Sequence, residues 1–362
     1  MQVNSILERF LIKGAGKHLY RFSNADNKTW LMPAHNMQVA MNLYQPSGRN
    51  GKIMKALFPW LHRKIIHAES VYCDITDELK RLFYQLFHET EIEFSIFCGT
   101  PCIHQKITMQ ISKGKHILGY CKVTDNKEIA LLFRNEANIL KELGRKGLKE
   151  VPICIFCGEM TDGIKLFVQS TAKTQKSQVI HEWTALHENF LDNLYQSTHQ
   201  FIPFEQSDYY RILTNLQLHI EWLPQEVNGT LLTSTINQIL LHYQGQEVDF
   251  SAYHADFTPW NMFMEGRKLF VFDWEYAQLT YPPKLDRYHF FTQTAYFEKH
   301  WTISQIIEYI NSEQGKWIDQ KMYSLYLLEV IARFTVREKG NINGKMAESF
   351  QIWIALLEYL QK

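Results

Sequence analysis

The sequence predicts an α+β protein in which a small strand-rich region with one long helix precedes a larger helical region. Strand-like segments separated by glycine, proline and charged turns run from residue 94 to residue 171, and a strongly amphipathic helix interrupts them at 127–147. From residue 173 onwards, apolar residues recur mainly at helical spacing. These sequence patterns predict an N-terminal extension at 1–92, a strand-rich part at 93–172 and a mainly helical part at 173–362.

The composition fits a protein with a large core and no obligatory polyanionic partner. Of the 362 residues 46% are hydrophobic, and 38 basic residues balance 38 acidic ones, so the formal net charge is zero. No long-range field therefore favours nucleic acid or an acidic membrane as a partner. We expect no export signal and no transmembrane segment, because the apolar runs are short and interrupted by charges. Six sparse cysteines predict a reducing, cytoplasmic location.

The N-terminal extension is predicted to form an additional α/β layer. Aromatic and β-branched residues indicate strands at 18–24, 28–34 and 37–44, and helical spacing follows at 51–66 and 76–89. Basic side chains surround the apolar stripe of the first of these helices. Packing of that helix on its own protein is favoured over a role at a membrane surface. Residues 1–92 as a whole are a candidate for docking on a partner or a surface.

Cys154 and Cys157 form a lone CxxC motif in a short apolar run. A metal or redox site would need a second ligand pair, or a helix that begins after the motif. The run is typical of a strand, in which this odd spacing sends the two thiols to opposite faces. We therefore interpret both cysteines as structural.

One charged residue lies on the apolar face of the helix at 127–147. The helical period places Glu136 on the stripe that contains Phe133 and Leu140. In the preceding strand Lys122 shares a face with Tyr120, because side chains alternate along a strand. A pair between Lys122 and Glu136 would satisfy two buried charges; the alternative is that both side chains reach solvent. A strand lysine held by a helix carboxylate positions ATP phosphates in kinases.

The segment YHADFTPWNMF at 253–263 fits the pattern H-x-D-x-x-x-x-N, with His254, Asp256 and Asn261. Asp256 is the candidate base for a hydroxyl nucleophile, and Asn261 is a candidate Mg²⁺ ligand. Two short strands then predict a hairpin that would return Asp273 to Asn261 as a second Mg²⁺ ligand. Turn formers are common in this segment, so an ordinary loop is the alternative. The order of lysine, glutamate, loop, hairpin and aspartate along the chain favours a catalytic site over an ordinary loop.

The strings HADFTPWNMF and FVFDWEYA resemble the catalytic loop and the metal-binding motif of the aminoglycoside phosphotransferase/choline kinase-like family. IFCGTPCIHQKITMQI is similar to that family's nucleotide loop, and GYCKVTDN with LLFRNEANILKEL to its lysine strand and glutamate helix. The resemblance covers residues from about 94 to 290. It implies a two-lobed protein kinase-like fold with ATP between the lobes, and Mg²⁺-dependent phosphoryl transfer to a small acceptor.

The resemblance also implies a role for each site residue. Asp256 becomes the catalytic base, Asn261 and Asp273 the Mg²⁺ ligands, and Lys122, held by Glu136, the cation that positions the phosphates. His254 is implied to brace the catalytic loop. Gly99 and Thr100, with Lys106, are implied to form the phosphate loop. A hinge at 169–172, which includes Gln169 and Thr171, is implied to bind adenine through backbone groups. The sequence departs from the protein kinases in lacking GxGxxG, for which Gly99 alone stands.

Contacts with the acceptor are expected beyond the metal aspartate and on the helical part of the chain. The candidates are Trp260, Trp274, Glu275, Tyr281 and Asp286. Aromatic faces beside carboxylates suit a cationic or polyhydroxylated acceptor, although core packing is the alternative for each aromatic residue. The sequence thus predicts a phosphotransferase acting on a hydroxyl of a small metabolite, amino alcohol or saccharide. The alternative is a non-catalytic kinase-like protein that binds nucleotide or scaffolds a partner.

Overall fold

The computed structural model describes residues 3–45, 51, 53–58, 68–101, 105–225 and 227–361. The strands are β1 Leu11–Ser23, β2 Thr29–Pro33, β3 Glu69–Ile75, β4 Glu93–Phe97, β5 Ile107–Lys113, β6 His116–Thr124, β7 Cys154–Glu159, β8 Lys165–Gln169, β9 Gln200–Pro203, β10 Glu247–Tyr253, β11 Met262–Glu265, β12 Lys268–Val271 and β13 Gln278–Tyr281. The α-helices are α1 Val3–Phe10, α2 Met37–Ala40, α3 Asp77–Phe87, α4 Lys127–Arg145, α5 Ala185–Thr198, α6 Asp208–Leu218, α7 Gly229–Tyr243, α8 Leu285–Gln293, α9 Ile303–Ile310, α10 Gln320–Glu338 and α11 Gly344–Leu360.

Parts of two predicted segments lie outside the described residues. Within the helix predicted at 51–66, residues 51 and 53–58 are helical, whereas residues 52 and 59–67 are not described. Residues 102–104 of the predicted nucleotide loop are likewise outside the described set. Over the part of the chain that the structure covers, no helix combines the length and apolar composition needed to cross a membrane.

The chain divides into two compact units. Unit 1 comprises residues 1–145, 149–180 and 262–275, and unit 2 comprises 146–148, 181–261 and 276–362. Unit 1 contains a large antiparallel sheet, and most of the long helices belong to unit 2. This mixture of helices and antiparallel strands confirms the predicted α+β class.

Unit 1 is built on one eight-stranded antiparallel sheet with the order β3-β1-β2-β4-β5-β6-β8-β7. The strands of the N-terminal extension join those of the strand-rich part through β2 and β4, where Trp30 pairs with Phe97. One face of the sheet packs against α1 and α3, through buried residues such as Phe10 and Phe83. A separate role for residues 1–92, and docking through them, stay predictions.

The segment 37–44, predicted as a strand, forms α2 and a 3₁₀ turn at Met41–Leu43. The strand prediction is wrong because the buried residues Met37, Ala40 and Met41 recur at helical intervals of three and four. These side chains pack against the aromatic residues of β1 and β2. The helix is therefore short but anchored by its apolar face.

The prediction that Cys154 and Cys157 face opposite ways is also wrong. A register shift in β7 pairs Cys154 with Gln169 and Cys157 with Phe167, and these two partners lie on one face of β8. The bulge adds a residue between the thiols and so removes the simple alternation. Both cysteines are unoxidised, and burial raises the pKa of Cys154 to about 11.

Unit 2 is mainly helical, and its core gathers apolar residues from α6, α7, α10 and α11 around a three-stranded sheet of order β13-β10-β9. The central strand β10 ends at Tyr253. The predicted H-x-D-x-x-x-x-N segment therefore begins at the end of a buried strand. The hairpin predicted after this segment is confirmed by the pairing of β11 with β12.

Candidate active site

In unit 1 the strand lysine and the helix glutamate form the predicted pair. Lys122 Nζ on β6 donates a hydrogen bond to Glu136 Oε2 on α4 at 2.5 Å. Lys122 is 5% exposed and Glu136 is fully buried. Glu136 Oε1 accepts a second bond from the backbone N–H of Trp274 at 3.2 Å. The charge on the apolar stripe of the helix is therefore satisfied inside the protein.

Two further carboxylates lie beside this pair, on the segment that follows β12. Lys122 Nζ also donates to Asp273, and Lys106 Nζ donates to Glu275. Oxygens of Glu136, Asp273 and Glu275 lie within 4.8 Å of one another. Three carboxylates therefore share two ammonium groups, a donor set of hard oxygens that suits a divalent cation.

The proton equilibria reflect this crowding. Burial by itself lowers the pKa of Lys122, but Asp273 and Glu136 outweigh that effect and the pKa is raised. Lys122 is therefore a permanent cation at neutral pH. Burial raises the pKa of Glu136 to about 7, and Asp273 and Glu275 add to this effect while Lys122 opposes it.

The predicted phosphate loop begins where β4 ends. Gly99 has a φ of +82°, and a Cβ atom there would lie 2.3 Å from the carbonyl oxygen of Lys106. Only glycine therefore allows the two arms of this loop to approach so closely. Gln105 Nε2 also links the two arms, because it donates a hydrogen bond to the Cys98 carbonyl oxygen at 2.9 Å. Thr100 is exposed.

The predicted hinge begins at the last residue of β8. Gln169, its first residue, is 4% exposed, and its side-chain oxygen has no hydrogen-bond partner among the described residues. Thr171 accepts a bond from the backbone N–H of Lys173 at 3.1 Å, which turns the chain after the strand. Backbone groups of the hinge are thus set at the end of a buried strand.

In unit 2 a buried aspartate holds the backbone of the loop that contains Asp256. Asp286 Oδ2 accepts a hydrogen bond from the backbone N–H of His254 at 2.8 Å, and Oδ1 accepts one from Ala255 at 3.1 Å. Ala255 has a φ of +70°, a strained value for a residue with a Cβ atom. The two bonds therefore hold the loop in a conformation that it would not adopt alone.

An arginine on α10 holds the same turn from its carbonyl side. Arg333 Nη2 donates to the Ala255 carbonyl oxygen at 2.9 Å, and its Nε donates to Glu329 Oε1 at 2.7 Å. The other oxygen of Glu329 accepts the hydroxyl proton of Tyr253 at 2.8 Å. Strand β10 and the loop are therefore both anchored to α10.

The Asp256 carboxylate is held at both oxygens. Asn261 Nδ2 donates to Asp256 Oδ2 at 2.7 Å, and also to its backbone carbonyl oxygen at 3.0 Å. His289 Nε2 lies 3.3 Å from Asp256 Oδ1. The side chain of Asp256 is 32% exposed, so it combines a fixed orientation with access to solvent.

Comparison with solved structures identifies the fold. The crystal structure of aminoglycoside phosphotransferase APH(4)-Ia aligns with 78% of this chain and 98% of its own, at 11% identity and a TM-score of 0.51. A thermostable variant of that protein in a ternary complex with ADP and hygromycin B gives the same coverage and TM-score at 12% identity. Choline kinase LicA from Streptococcus pneumoniae also matches, at 15% identity, with coverage of 78% and 98% and a TM-score of 0.46.

The chain has the fold of the aminoglycoside phosphotransferases. No family model and no curated protein matches it. The predicted resemblance to the aminoglycoside phosphotransferase/choline kinase-like family is thus confirmed for the fold, at identities too low to carry the activity across.

Within this fold the predicted acceptor residues occupy different settings. Trp260 is 36% exposed and meets Phe297 edge-on, whereas Trp274 is fully buried and donates its indole N–H to the Val271 carbonyl oxygen at 3.0 Å. Glu275 is buried beside Lys106, and Asp286 is occupied by the loop backbone. The fifth candidate, Tyr281, is buried and stacks on Tyr253. Acceptor contact stays a prediction for all five.

Sequence reasoning missed several residues that support the loop. Arg333 and Glu329 are charged residues on an almost entirely buried stretch of α10, so the inconsistency that revealed Glu136 was present there too. His289 gave no such signal, because a single histidine in YHFFTQ is an ordinary residue of an aromatic core. Asp286 was recognised as a candidate but its contact with the loop was not.

Proposed function

We propose that the protein is an ATP- and Mg²⁺-dependent phosphotransferase that moves the γ-phosphate to a hydroxyl group of a small metabolite, amino alcohol or saccharide. The observation that carries the proposal is the buried Lys122–Glu136 pair, whose ammonium group also meets Asp273. A buried pair of this kind is weak evidence for stability but suits the positioning of phosphates. The aminoglycoside phosphotransferase fold supports the same assignment.

Unit 1 supplies the proposed nucleotide contacts and unit 2 the proposed base, in the manner of a two-lobed protein kinase-like enzyme. Lys122 binds phosphate oxygens, Gly99 and Thr100 form the phosphate loop, and the hinge at Gln169 and Thr171 meets the base through its backbone. The tight turn at Gly99 and the buried strand before the hinge support these roles.

Asp273 in unit 1 and Asn261 in unit 2 are the proposed Mg²⁺ ligands. Asp273 belongs to the cluster of hard oxygens, and its side chain is 25% exposed. Because Asn261 Nδ2 donates to Asp256, its Oδ1 is the atom that can face a cation. The ion would neutralise charge on the phosphates, and both donor atoms are of the type that Mg²⁺ prefers.

Asp256 acts as the base in the proposed reaction. Its carboxylate orients the acceptor hydroxyl and takes its proton, while the hydroxyl oxygen forms a bond to the γ-phosphorus atom. The bond from that phosphorus to the β,γ-bridging oxygen breaks, and ADP leaves with the electron pair. Asn261 holds Asp256 for this step, and Asp286 and Arg333 hold the backbone that carries it.

The acceptor class is proposed from the exposed aromatic surface of the loop. Trp260 presents an accessible ring next to Phe297, a surface on which a sugar ring can stack or a cation can bind. The APH(4)-Ia variant was crystallised with hygromycin B, so aminoglycosides belong among the acceptors to be tested.

The deciding experiment is a screen with γ-labelled ATP and Mg²⁺ over amino alcohols, sugars, aminoglycosides and glycan precursors. Asp256→Asn is the matched control, because it keeps the shape of the side chain and removes the base. We expect at least one acceptor to be labelled by the parent protein, and the variant to bind nucleotide with little change but to transfer no phosphate. Transfer by the variant at the parental rate would show that Asp256 is not the base. Nucleotide binding without transfer to any acceptor or to water would favour the non-catalytic alternative.

A further inference from the structure

A histidine with no place in the predicted motif lies against the proposed base. His289 is 2% exposed, and its Nε2 atom is 3.3 Å from Asp256 Oδ1. It follows Asp286 on α8 by three residues, a spacing that places two side chains on the same face of a helix. One face of α8 therefore contacts both the backbone of the loop and the carboxylate that the loop carries.

The contacts of the imidazole define its tautomer. Tyr326 on α10 lies with its hydroxyl oxygen 3.2 Å from His289 Nδ1. The Asp256 carboxylate can only accept a hydrogen bond, so His289 Nε2 carries a proton in this contact and Nδ1 accepts the proton of the Tyr326 hydroxyl. A neutral imidazole that accepts at Nδ1 carries its proton at Nε2, the atom that faces Asp256.

Building on the proposed function, we propose that His289 is a positioning residue that fixes the orientation of the Asp256 carboxylate through its Nε2–H group. Asn261 holds Oδ2 and His289 holds Oδ1, so the plane of the carboxylate is set from both ends. The orientation of a base matters because a small misplacement of a reacting group can slow a reaction by about 100-fold.

The first test is spectroscopic and does not depend on an acceptor. Nitrogen-15 spectra of the full chain labelled at histidine report which ring nitrogen of His289 carries the proton. We expect the proton at Nε2, and we expect Tyr326→Phe to change the tautomer populations. A proton held at Nδ1, or a spectrum that Tyr326→Phe leaves unchanged, would overturn the proposal.

The second test separates positioning from packing. His289→Gln retains an N–H donor near Asp256, whereas His289→Leu fills the space without one. With ADP release from Mg·ATP as the readout and water as the acceptor, we expect His289→Leu to lower kcat by about 10- to 100-fold, and His289→Gln to restore most of the rate. Nucleotide affinity should stay the same in both. Equal rates for the leucine and glutamine variants would overturn the proposal, whereas a parent protein that binds no nucleotide would contradict the proposed function instead.

A different observation, within unit 1, concerns the N-terminal extension. The α2 segment, defined as residues 36–44, lies on the face of the sheet that carries Lys122. Gln110 pairs with Tyr120, and Tyr120 pairs with Gln169, so these three side chains share one face. Lys122 follows Tyr120 by two residues and lies on the same face.

The α2 segment is bonded to this face and to the residues after the hinge. Gln110 Nε2 donates to the carbonyl oxygen of Val39 at 3.0 Å, and Tyr120 donates its hydroxyl proton to Gln110 Oε1 at 3.3 Å. Lys173 Nζ donates to the carbonyl oxygen of Asn42 at 3.2 Å. Both Val39 and Gln110 are buried, so this is a packed contact within unit 1.

This position coincides with the proposed place of the nucleotide base. The base would lie between the hinge that begins at Gln169 and the phosphates held by Lys122, and Tyr120 lies between those two residues on the same face. The buried side-chain oxygen of Gln169 lacks a hydrogen-bond donor among the described residues. An acceptor left in that state is costly, and the amino group of a purine would satisfy it.

On the same proposed function, the geometry points to the α2 segment as an autoinhibitory element that covers the base-binding part of the nucleotide site and moves away when a nucleotide binds. Met41 anchors the segment in an apolar cluster with Trp30 and Tyr44, and Asn36 ties its start to the Gly114 carbonyl oxygen at 2.7 Å. These anchors belong to the extension and to the far end of β5, so they can be changed without altering the proposed nucleotide contacts.

Calorimetry with Mg·ADP on the full chain tests this proposal. Met41→Asp should release the segment and bind Mg·ADP about tenfold or more tightly than the volume-conserving control Met41→Leu. Asn36→Ala is a milder release that avoids the core, and we expect it to tighten binding by about two- to fivefold. Hydrogen exchange of residues 36–44 in the parent protein should accelerate when Mg·ADP is added.

The outcomes distinguish this proposal from the proposed function. If Mg·ADP binds equally well to the Met41 variants, or binds the parent without changing exchange in the α2 segment, autoinhibition is wrong and the nucleotide site stands. If Met41→Asp exposes the segment to exchange and still no nucleotide binds, the proposed nucleotide function itself is wrong.

Discussion

The Nζ atom of Lys122 lies 2.5 Å from Oε2 of Glu136, at a position where the glutamate has no exposed surface. Breaking a buried pair by removing one partner typically costs about 3–5 kcal/mol, because the remaining charge stays buried without its counterion. We expect Lys122→Met to lower the free energy of unfolding by about that amount. Urea unfolding followed by fluorescence measures it.

The double variant Lys122→Met/Glu136→Leu separates a lost interaction from a generally damaged core. It replaces both charges with apolar side chains, and such replacements are often neutral or stabilising. We expect it to be more stable than Lys122→Met alone. A double variant that loses the sum of the two single effects would show that the pair has no coupling energy.

Asp273 provides a prediction about the metal. It lies in the cluster with Glu136 and Glu275, and its carboxylate is partly exposed. Asp273→Ala should weaken the binding of Mg·ATP by at least about tenfold, because the variant lacks a carboxylate that would bind the cation through charge-assisted contacts. The matched control is Asp77→Ala, which removes an 83% exposed carboxylate from α3 in the same unit. Calorimetry at several Mg²⁺ concentrations should show a shift for Asp273→Ala alone; equal affinities for the two variants would exclude Asp273 as a ligand.

Arg333 and Arg337 form a matched pair for testing the support of the loop. Both lie on α10, but Arg333 bonds to the Ala255 carbonyl oxygen and to the buried Glu329, whereas Arg337 pairs with Glu338 at 2.6 Å. Arg333→Met should cost about 3 kcal/mol or more and slow phosphoryl transfer, because Glu329 loses its partner and the loop loses a bond.

For Arg337→Met we expect a loss of about 1 kcal/mol or less, because its ion pair is more accessible to solvent. Thermal unfolding and ADP release on the two variants check both statements. Equal losses in the two variants would show that the bond to Ala255 contributes nothing to the loop.

The sequence was sufficient for features that leave a local inconsistency. Glu136 was found because a carboxylate interrupts an apolar helical stripe, and the structure gives it the predicted partner. The hairpin after Asn261 was predictable from two short strands around a turn, and it forms as β11 and β12.

The features that could not be predicted depend on contacts between residues far apart in the sequence. The bulge in β7 is set by pairing with β8 and cannot be read from the CxxC spacing. The contacts of Asp286 and His289 arise only when α8 meets the loop after β10 and when Tyr326 on α10 meets the imidazole. These are tertiary contacts, so no periodicity in the local sequence predicts them.

The buried Asp286 gives the protein a predictable dependence on pH. Burial raises the pKa of Asp286 to about 7, against the opposing effect of the backbone N–H groups of His254 and Ala255. The folded protein therefore binds this proton more tightly than the unfolded chain, in which the pKa is near its ordinary value of 3.8. The stability that comes from this proton is complete below about pH 4 and is lost as the pH rises towards about 7.

Asp286→Asn removes the titration and stays neutral at every pH. We expect the free energy of unfolding of the parent protein, measured relative to Asp286→Asn in urea, to fall steadily from pH 4 to pH 7 and to level off above it. A difference between the two proteins that does not change with pH would show that Asp286 has the same pKa in the folded and unfolded states, and that its bonds to the loop are made by the carboxylate throughout.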